Sequence, residues 1–336
     1  MNGRIKTTQM KVSCLMQATL GCMNIQDFAL SQDVTRIFRN AVRVARCLVE
    51  LLMLKDDFKS LFNAAVLSKC IKARLWENSR YVTKQLTNIG ATLSSALANA
   101  GVSTFSRAHE MNPRELELIV NRHAPFGNHM HDAITHLPQY EVRVEQSNKH
   151  GTTECTITIQ VLLKNAQDVK VKSTAGKKHT CLLLVGDADN KALLRQKISD
   201  TLLISTNDNM WIRNINVTRA LKGDELSVNL ISLEWVGLDV ESTYTPYYLG
   251  PRRMVATTSA IVNNSNTQSR YFEKKKKPCR HQCSNKRMCA HDCCKVGLPE
   301  DNVGVVENHA SFIKKIINTP NKQVPQVCCF IFTLNV

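Results

Sequence analysis

Seven cysteine and histidine residues lie close together near the end of the chain, and their types and spacing are those of a zinc site. They are Cys279, His281, Cys283, Cys289, His291, Cys293 and Cys294. Structural zinc takes four thiolate or imidazole ligands in a tetrahedron, and two close ligand pairs joined by a short loop can supply them. The expected set takes two ligands from each half: Cys279 and Cys283, then Cys289 with either Cys294 or His291. A redox-sensitive tail is the alternative, which the repeated His-x-Cys spacing disfavours.

A second stretch, residues 86–102, has the spacing of a helical hairpin that could bind a phosphate. Its apolar residues form one stripe on a helix that Gly90 opens and Gly101 closes: Leu93, Ala96, Leu97 and Ala100. A glycine at a helix start lets backbone N–H groups come close to an anion, which the helix dipole also favours. The layout is that of a helix-hairpin-helix, and such hairpins usually hold a nucleic-acid phosphate without reading the bases.

The same hairpin is also compatible with a purely structural role, because Leu, Ile and Ala at helical spacing more often indicate core packing. Asn88 stands where strong phosphate binders have glycine, and asparagine adopts positive φ less freely than glycine. The sequence predicts the hairpin fold, with nucleic-acid contacts from Arg80, Lys84, Asn88, Ile89 and Gly90.

No stretch of the sequence has the pattern of a catalytic site. The phosphate loop G-x-x-x-x-G-K-[ST], a D-E-x-H stretch and the nucleophile elbow G-x-S-x-G are all missing. Five residues beyond the hairpin could ligate a metal, but without a further partner we interpret them as surface and capping residues: His123, His129, His131, Asp132 and His136. We therefore expect no catalytic residue in this chain.

The overall charge favours a polyanionic partner. Lys and Arg outnumber Asp and Glu by 44 to 28, which gives a formal net charge of +16 and makes nucleic acid the leading candidate. The first residues lack the apolar core of a signal peptide, and no apolar run approaches the roughly 20 residues that span a bilayer. We expect a reducing intracellular compartment and no membrane contact. Cysteines outside the cluster are expected to be buried thiols.

Hydrophobic periodicity indicates helices before residue 138. Apolar residues keep helical spacing after Ser31, the predicted N-cap: Val34, Ile37, Phe38, Ala41, Val44, Ala45, Leu48, Leu51 and Leu52. A second helix follows from Phe58. Asn112 and Pro113 predict another helix start, and a short helix follows from Phe126.

From Tyr140 the period changes to two, which is typical of strands with one face in a core. About seven short strands in ~110 residues suggest an immunoglobulin-like sandwich. The candidates are 140–145, 155–161, 180–185, 193–198, 210–217, 226–233 and 240–249.

The sequence thus predicts an α+β multi-domain chain. Its parts are a helical bundle at 11–80, the helix-hairpin-helix and following helices at 81–138, an immunoglobulin-like β-sandwich at 139–250, a polar and basic linker at 251–278, a zinc-binding segment at 279–297 and a disordered tail at 298–336. The basic residues around the zinc segment could contact a polyanion or act as a nuclear-import signal, although charge runs are more often simply solvated.

Bundle, hairpin and sandwich in this order resemble the Sec-sixty-three-type unit that follows the motor of Ski-two-like helicases. Local sequence narrows the resemblance to the meiotic crossover helicase of the Mer-three type. The matching stretches are Lys11-Val-Ser-Cys14-Leu, Leu20-Gly-Cys22, Ile25-Gln-Asp27-Phe28-Ala-Leu30, Leu75-Trp76-Glu-Asn-Ser79, Arg114-Glu-Leu-Glu-Leu, Asn121-Arg122-His123, Pro125-Phe126-Gly127, Leu137-Pro138-x-Tyr140-Glu, Glu145-Gln146, Tyr248-Leu249-Gly250-Pro251 and Cys293-Cys294-Lys295-x-Gly297. The zinc cluster after the sandwich distinguishes this family from its spliceosomal and translocon relatives.

The resemblance implies a nuclear ATP-dependent DNA helicase that unwinds 3′ to 5′ and promotes crossovers in meiotic recombination. The two RecA-like motor domains and the winged helix that should precede residue 11 are missing, so we expect a fragment or a truncated product. ATP and Mg²⁺ would act only through that motor, and the chain alone should be unable to hydrolyse ATP.

Two functional hypotheses remain open. In the first, the chain is an accessory region of such a helicase whose hairpin contacts the backbone of single-stranded or branched DNA. In the second, it is a protein-interaction platform, in which the sandwich and zinc segment dock recombination proteins and the hairpin is only structural. Salt-dependent DNA affinity favours the first hypothesis, and a partner captured by residues 140–297 favours the second.

Overall fold

The computed structural model describes residues 5–250, and the predicted linker, zinc segment and tail lie outside the described residues. The α-helices are α1 (Thr8–Leu20), α2 (Phe28–Leu52), α3 (Phe58–Ala73), α4 (Ala91–Asn99), α5 (Phe105–Glu110), α6 (Pro113–Val120), α7 (Phe126–Thr135), α8 (Ala166–Val171) and α9 (Asp200–Ser205), with a 3₁₀ turn at Val82–Gln85. The strands are β1 (Tyr140–His150), β2 (Glu154–Leu163), β3 (Thr180–Gly186), β4 (Ala192–Ser199), β5 (Met210–Thr218), β6 (Leu226–Ser232) and β7 (Val240–Tyr244). Helix α1 was not predicted from the sequence.

Side chains that accept backbone N–H bonds mark the starts of the longer helices. Asp27 caps α2 by accepting a hydrogen bond from Leu30 N at 2.8 Å, and Asp57 caps α3 in the same way. Asn112 caps α6, as predicted. The prediction of Ser31 as the cap of α2 is wrong, because the Ser31 N–H already donates inside the helix, to the Asp27 carbonyl.

The buried face of α2 is narrower than the predicted apolar stripe. Val44 and Leu51 are 65% and 55% exposed, whereas Phe38 and Ala45 are buried. Each helical residue is rotated by about 100° from the one before it. Val44 therefore points well away from its buried neighbour Ala45, and its place in the predicted stripe is wrong.

Two hydrophobic clusters hold the helices together. In the first, residues of α1, α2 and α3 pack against one another, among them Leu15, Leu20, Phe38 and Ile71. In the second, the 3₁₀ turn and helices α4 to α7 surround Leu86, Leu97, Val102 and Leu116. The hairpin stretch thus lies within a packed core.

The strands form two antiparallel sheets that share one core. The strand orders are β1-β2-β5 and β4-β3-β6-β7. Within residues 5–250, each of the seven strands overlaps its predicted range, but β1 continues to His150 beyond the predicted end at residue 145, and β7 ends at Tyr244 rather than at residue 249. Buried residues of both sheets form one cluster, including Ile157, Ile159, Leu183, Val228 and Leu230. The described residues therefore confirm the predicted α+β class, and the immunoglobulin-like type stays a prediction.

The four-stranded sheet is buried on both faces. Leu183 of β3 faces the core between the sheets, whereas Leu182 and Leu184 pack in a separate cluster with Leu61 of α3. A sheet covered on both sides needs apolar residues at successive positions. This explains the unbroken run from Cys181 to Val185, and it places α2 and α3 directly on the sheet.

Three of the cysteines predicted to be buried thiols are not buried. Cys14 and Cys47 are exposed on α1 and α2, and Cys22 is half-buried. Each of these helices buries only one side, so a cysteine on the outer face meets solvent whatever its hydrophobicity.

Candidate nucleic-acid interface

Helix α4 begins at an exposed glycine and has no side-chain cap. Gly90 is the N-cap residue, and its carbonyl accepts the first helical hydrogen bond from Ser94 N at 3.0 Å. Gly90, Ala91 and Thr92 are exposed, and the first turn contains no acidic residue. The N–H groups of this turn have no partner within the helix and lie at the positive end of its dipole. This arrangement suits an anion.

Nothing inside the fold requires glycine at position 90. Its φ of −84° is open to any residue, and a Cβ atom there would meet no atom within 4 Å. A side chain at this position would enter the open space beside the helix N-terminus. Substitution of Gly90 therefore changes access to that terminus without disturbing the core.

The end of α4 has the predicted glycine cap. Gly101 lies at φ 86°, Val102 N donates to Leu97 O at 2.9 Å, and Gly101 N donates to Ala98 O at 3.1 Å. These two bonds define a Schellman motif, and the buried Val102 packs back on the helix as expected. Ala100 is exposed at the C-cap, so its predicted place in the apolar stripe is wrong.

The turn before α4 combines one buried and two exposed residues. Asn88 adopts the left-handed conformation with φ 66°, the conformation for which glycine is favoured. The Ile89 side chain is 5% exposed and packs in the same cluster as Leu86. Ile89 thus anchors the turn, and a ligand would meet the exposed groups of Asn88 and Gly90.

Neighbouring side chains hold Arg80 and Lys84. The Arg80 guanidinium lies 5.1 Å from the centroid of the Tyr81 ring, and its Nη2 donates to Tyr81 Oη at 3.0 Å. Lys84 Nζ donates to Cys22 Sγ at 3.5 Å. Within residues 5–250, neither cation forms an ion pair. Both charges are therefore available to an external anion.

Helix α2 carries a further basic group that the sequence analysis missed. We call it the arginine stripe, and it consists of the exposed residues Arg36, Arg39, Arg43 and Arg46. At 3.6 residues per turn, the four side chains fall within an arc of about 80° and extend over about 15 Å. The spacing i, i+3, i+7, i+10 is visible in the sequence, but only the apolar residues of this helix were interpreted there.

Most of the arginine stripe is not neutralised by ion pairs within the described residues. Arg39 and Arg43 have no ion-pair partner in the part of the chain that the structure describes. Asp33 lies one turn before Arg36, but its carboxylate accepts a hydrogen bond from Lys11 Nζ at 2.7 Å, which lowers the pKa of Asp33. The acidic group nearest in sequence is therefore already engaged.

Among the described residues, the histidines near α7 do not form a metal site. His136 Nδ1 lies 3.3 Å from Asp132 Oδ1, and Lys172 Nζ donates to the other oxygen at 2.6 Å, which lowers the pKa of Asp132. His131 packs against His109 with ring centroids 5.2 Å apart. Between residues 5 and 250, no three His, Cys, Asp or Glu side chains are placed to hold a metal. The seven predicted zinc ligands lie outside that range.

No helix in the described range is both long and apolar enough to cross a bilayer.

Comparison with known proteins finds similarity along most of the chain. The Sec63 Brl domain family matches residues 1–245. The chain is 42% identical over 93% of its length to the mouse "Probable ATP-dependent DNA helicase HFM1" and 40% identical over 95% to the human protein of that name. It is 27% identical over 71% of its length to the "ATP-dependent DNA helicase homolog MER3" of Arabidopsis thaliana. The chain spans 23% of the mouse and human relatives and 21% of the plant one. It belongs to the Sec63 Brl domain family and is homologous to the HFM1 and MER3 ATP-dependent DNA helicases.

Proposed function

We propose that this chain is a nucleic-acid-binding accessory region of a 3′-to-5′ ATP-dependent DNA helicase that acts in meiotic recombination and crossover formation. ATP and Mg²⁺ belong, in this proposal, to the motor of the whole helicase. The region acts in the nucleus and contacts single-stranded or branched DNA. The printed names of the relatives support DNA as the nucleic acid.

The arginine stripe carries the proposal. Guanidinium groups bind phosphate oxygens in a fixed, often bidentate geometry and are always charged. Residues on one helix face that recur every 4–6 Å along the axis suit a backbone with regularly spaced phosphates. Such contacts are independent of base sequence, so the expected affinity depends strongly on salt and weakly on sequence.

The hairpin supplies the second proposed contact. The uncapped start of α4 at Gly90, with Asn88 before it, would take one phosphate on backbone N–H groups. Arg80 and Lys84 would add charge on the side of the hairpin that precedes this turn.

Two further parts of the proposal concern the rest of the chain. The strand orders β1-β2-β5 and β4-β3-β6-β7 support an immunoglobulin-like type for the sandwich. The cysteine and histidine spacing supports structural zinc bound within residues 279–297.

The alternative proposal is a protein-interaction platform for recombination proteins. The burial of Ile89 favours it, because that residue serves packing rather than binding. In this case the hairpin is purely structural and DNA affinity has a negligible salt slope.

A paired substitution distinguishes the two proposals. Arg39→Gln with Arg43→Gln should weaken binding of the full chain to labelled single-stranded DNA about tenfold and lower the slope of log K against log salt by about 1.4. The matched control, Arg143→Gln with Arg213→Gln, removes the same charge from exposed arginines of the three-stranded sheet. Equal binding by the two variants would contradict the proposed role of α2.

A further inference from the structure

Two cavities adjoin the loop that leads into β3. The first cavity, of about 450 Å³, lies between α2 and the four-stranded sheet and is lined by Arg46, Lys178 and Lys197 among others. The second, of about 300 Å³, lies between α8 and α9 and is lined by Lys170 and Lys177 among others. Because Lys177 and Lys178 are adjacent in sequence, the basic linings of the two cavities follow one another along the chain.

The first cavity begins where the arginine stripe ends. Arg46 is the last arginine of the stripe, and its Nη2 lies 3.0 Å from Glu234 Oε1. Lys197 likewise pairs with Glu50. Lys178 is exposed, and the described residues provide no ion-pair partner for it. The unneutralised charge of this cavity is therefore that of Lys178.

Lys170 and Lys177 are both exposed on the second cavity and have no ion pair within residues 5–250. Ser173 lines the same cavity, and its hydroxyl oxygen is buried without a hydrogen-bond partner in the described structure. A buried hydroxyl without a partner is unfavourable, and rotation of the Ser173 side chain into the cavity would let it donate to a ligand oxygen.

The second cavity is also lined by one acidic residue, Asp200. Asp200 is 2% exposed, and its Oδ1 accepts hydrogen bonds from His179 N at 3.0 Å and Thr201 N at 2.6 Å. Burial raises the pKa of this carboxyl, whereas the two N–H donors and the nearby charge of Lys178 act in the opposite direction. Asp200 is thus held by the fold, and the charge of Lys178 opposes that of its carboxylate.

We propose that Lys170, Lys177 and Lys178, with the Ser173 hydroxyl, bind phosphates of a nucleic-acid strand and extend the contact of α2 onto the sandwich. This inference rests on the proposed nucleic-acid binding of the chain. We call these four residues, together with the arginine stripe, the basic track.

The arrangement of the charges selects a nucleic-acid strand as the ligand. A single phosphorylated side chain would occupy one cavity and leave the other cations without a partner. A nucleic-acid backbone carries one negative charge every few ångströms. It can therefore engage the stripe on α2, then Lys178, then Lys177 and Lys170 in succession.

The test uses the full chain with Lys170→Gln, Lys177→Gln and Lys178→Gln, titrated with a labelled oligothymidylate at increasing NaCl. Each lost contact lowers the slope of log K against log salt by about 0.7 for a single strand, so we expect a decrease of about 2. The control replaces Lys59, Lys191 and Lys222 with glutamine. These exposed lysines lie near the β3–β4 turn, at the opposite end of those strands, and should leave the slope unchanged.

A Ser173→Ala variant tests the cavity without a change in charge. We expect about threefold to tenfold weaker oligothymidylate binding, with an unchanged circular dichroism spectrum. If wild-type and arginine-stripe variants behave as proposed but the lysine triple variant matches its control, this inference fails and the proposed function stands. If the wild-type chain does not bind oligothymidylate, both fail. If the triple variant no longer binds a phosphoserine peptide but keeps the oligothymidylate slope of the wild-type chain, the inference is overturned in favour of a protein ligand.

Discussion

Lys69 of α3 forms a buried ion pair with Asp239, in the turn between β6 and β7. The Lys69 side chain is 2% exposed and the Asp239 side chain 20%, and Asp239 Oδ1 also accepts a hydrogen bond from Ser232 N at 2.8 Å. The pair joins the helical part of the chain to the four-stranded sheet. A buried charge that loses its partner is strongly unfavourable, so the pair couples the packing of the two parts.

Removal of one partner should therefore destabilise the fold. We expect Lys69→Met to lower the free energy of unfolding by about 3 kcal/mol, measured by urea denaturation. The double variant Lys69→Met with Asp239→Asn should recover part of that loss, because it removes the carboxylate charge that Lys69 no longer balances and keeps an oxygen acceptor for Ser232 N. A loss below about 1 kcal/mol in the single variant, as for an exposed pair, would contradict this account.

His179 should make stability depend on pH. Its Nδ1 lies 2.8 Å from Tyr140 Oη and its Nε2 2.8 Å from Ser232 Oγ, and burial lowers the pKa of His179 from 6.5 to about 4. Between these values the unfolded chain binds a proton that the folded chain does not. This contribution is therefore complete above pH 6.5 and decreases as the pH falls towards 4.

The His179 contribution can be isolated by substitution. Between about pH 7 and about pH 5, wild type should lose about 2 kcal/mol more stability than His179→Gln, as measured by urea denaturation at each pH. Asp200 and Glu77, whose pKa values burial raises, act in the opposite direction but are present in both proteins. An identical pH dependence of the two proteins would exclude this role for His179.

The two glycines at the ends of α4 should respond differently to substitution. Gly101→Ala places a side chain at φ 86° and should cost about 1 kcal/mol of stability. Gly90→Val with Lys84→Glu should keep the circular dichroism spectrum but weaken binding to single-stranded DNA. An unchanged binding isotherm would contradict the proposed hairpin contact.

Zinc should accompany the purified chain. Preparation without chelators should give about one zinc ion per chain, and replacement of Cys283 and Cys289 by serine should abolish it. A metal-free preparation whose residues 279–297 are intact would refute the zinc site.

Local sequence patterns predicted the two ends of α4, the start of α6 and the approximate positions of the strands. Asn112, Gly90 and Gly101 mark helix ends through caps and backbone conformations that short-range chemistry dictates. The strand positions follow from a period of two. These features depend on a few neighbouring residues, so one sequence suffices to find them.

Features that depend on distant parts of the chain were missed or misread. Val44 is exposed, and β3 is covered on both faces of its sheet. Both features depend on which elements pack together, and periodicity alone does not predict that. The two cavities and the pairing of Lys69 with Asp239 join residues far apart in sequence. The arginine stripe is different, because its spacing could have been read from the sequence directly.

The most direct test of the account is the salt dependence of binding by the wild-type chain to single-stranded DNA of two unrelated sequences. The account predicts a steep decrease of log K with log salt, with a slope of about −3 or steeper from at least four to five phosphate contacts, and nearly equal affinities for both sequences. A slope near zero, or no binding at low salt, would contradict it.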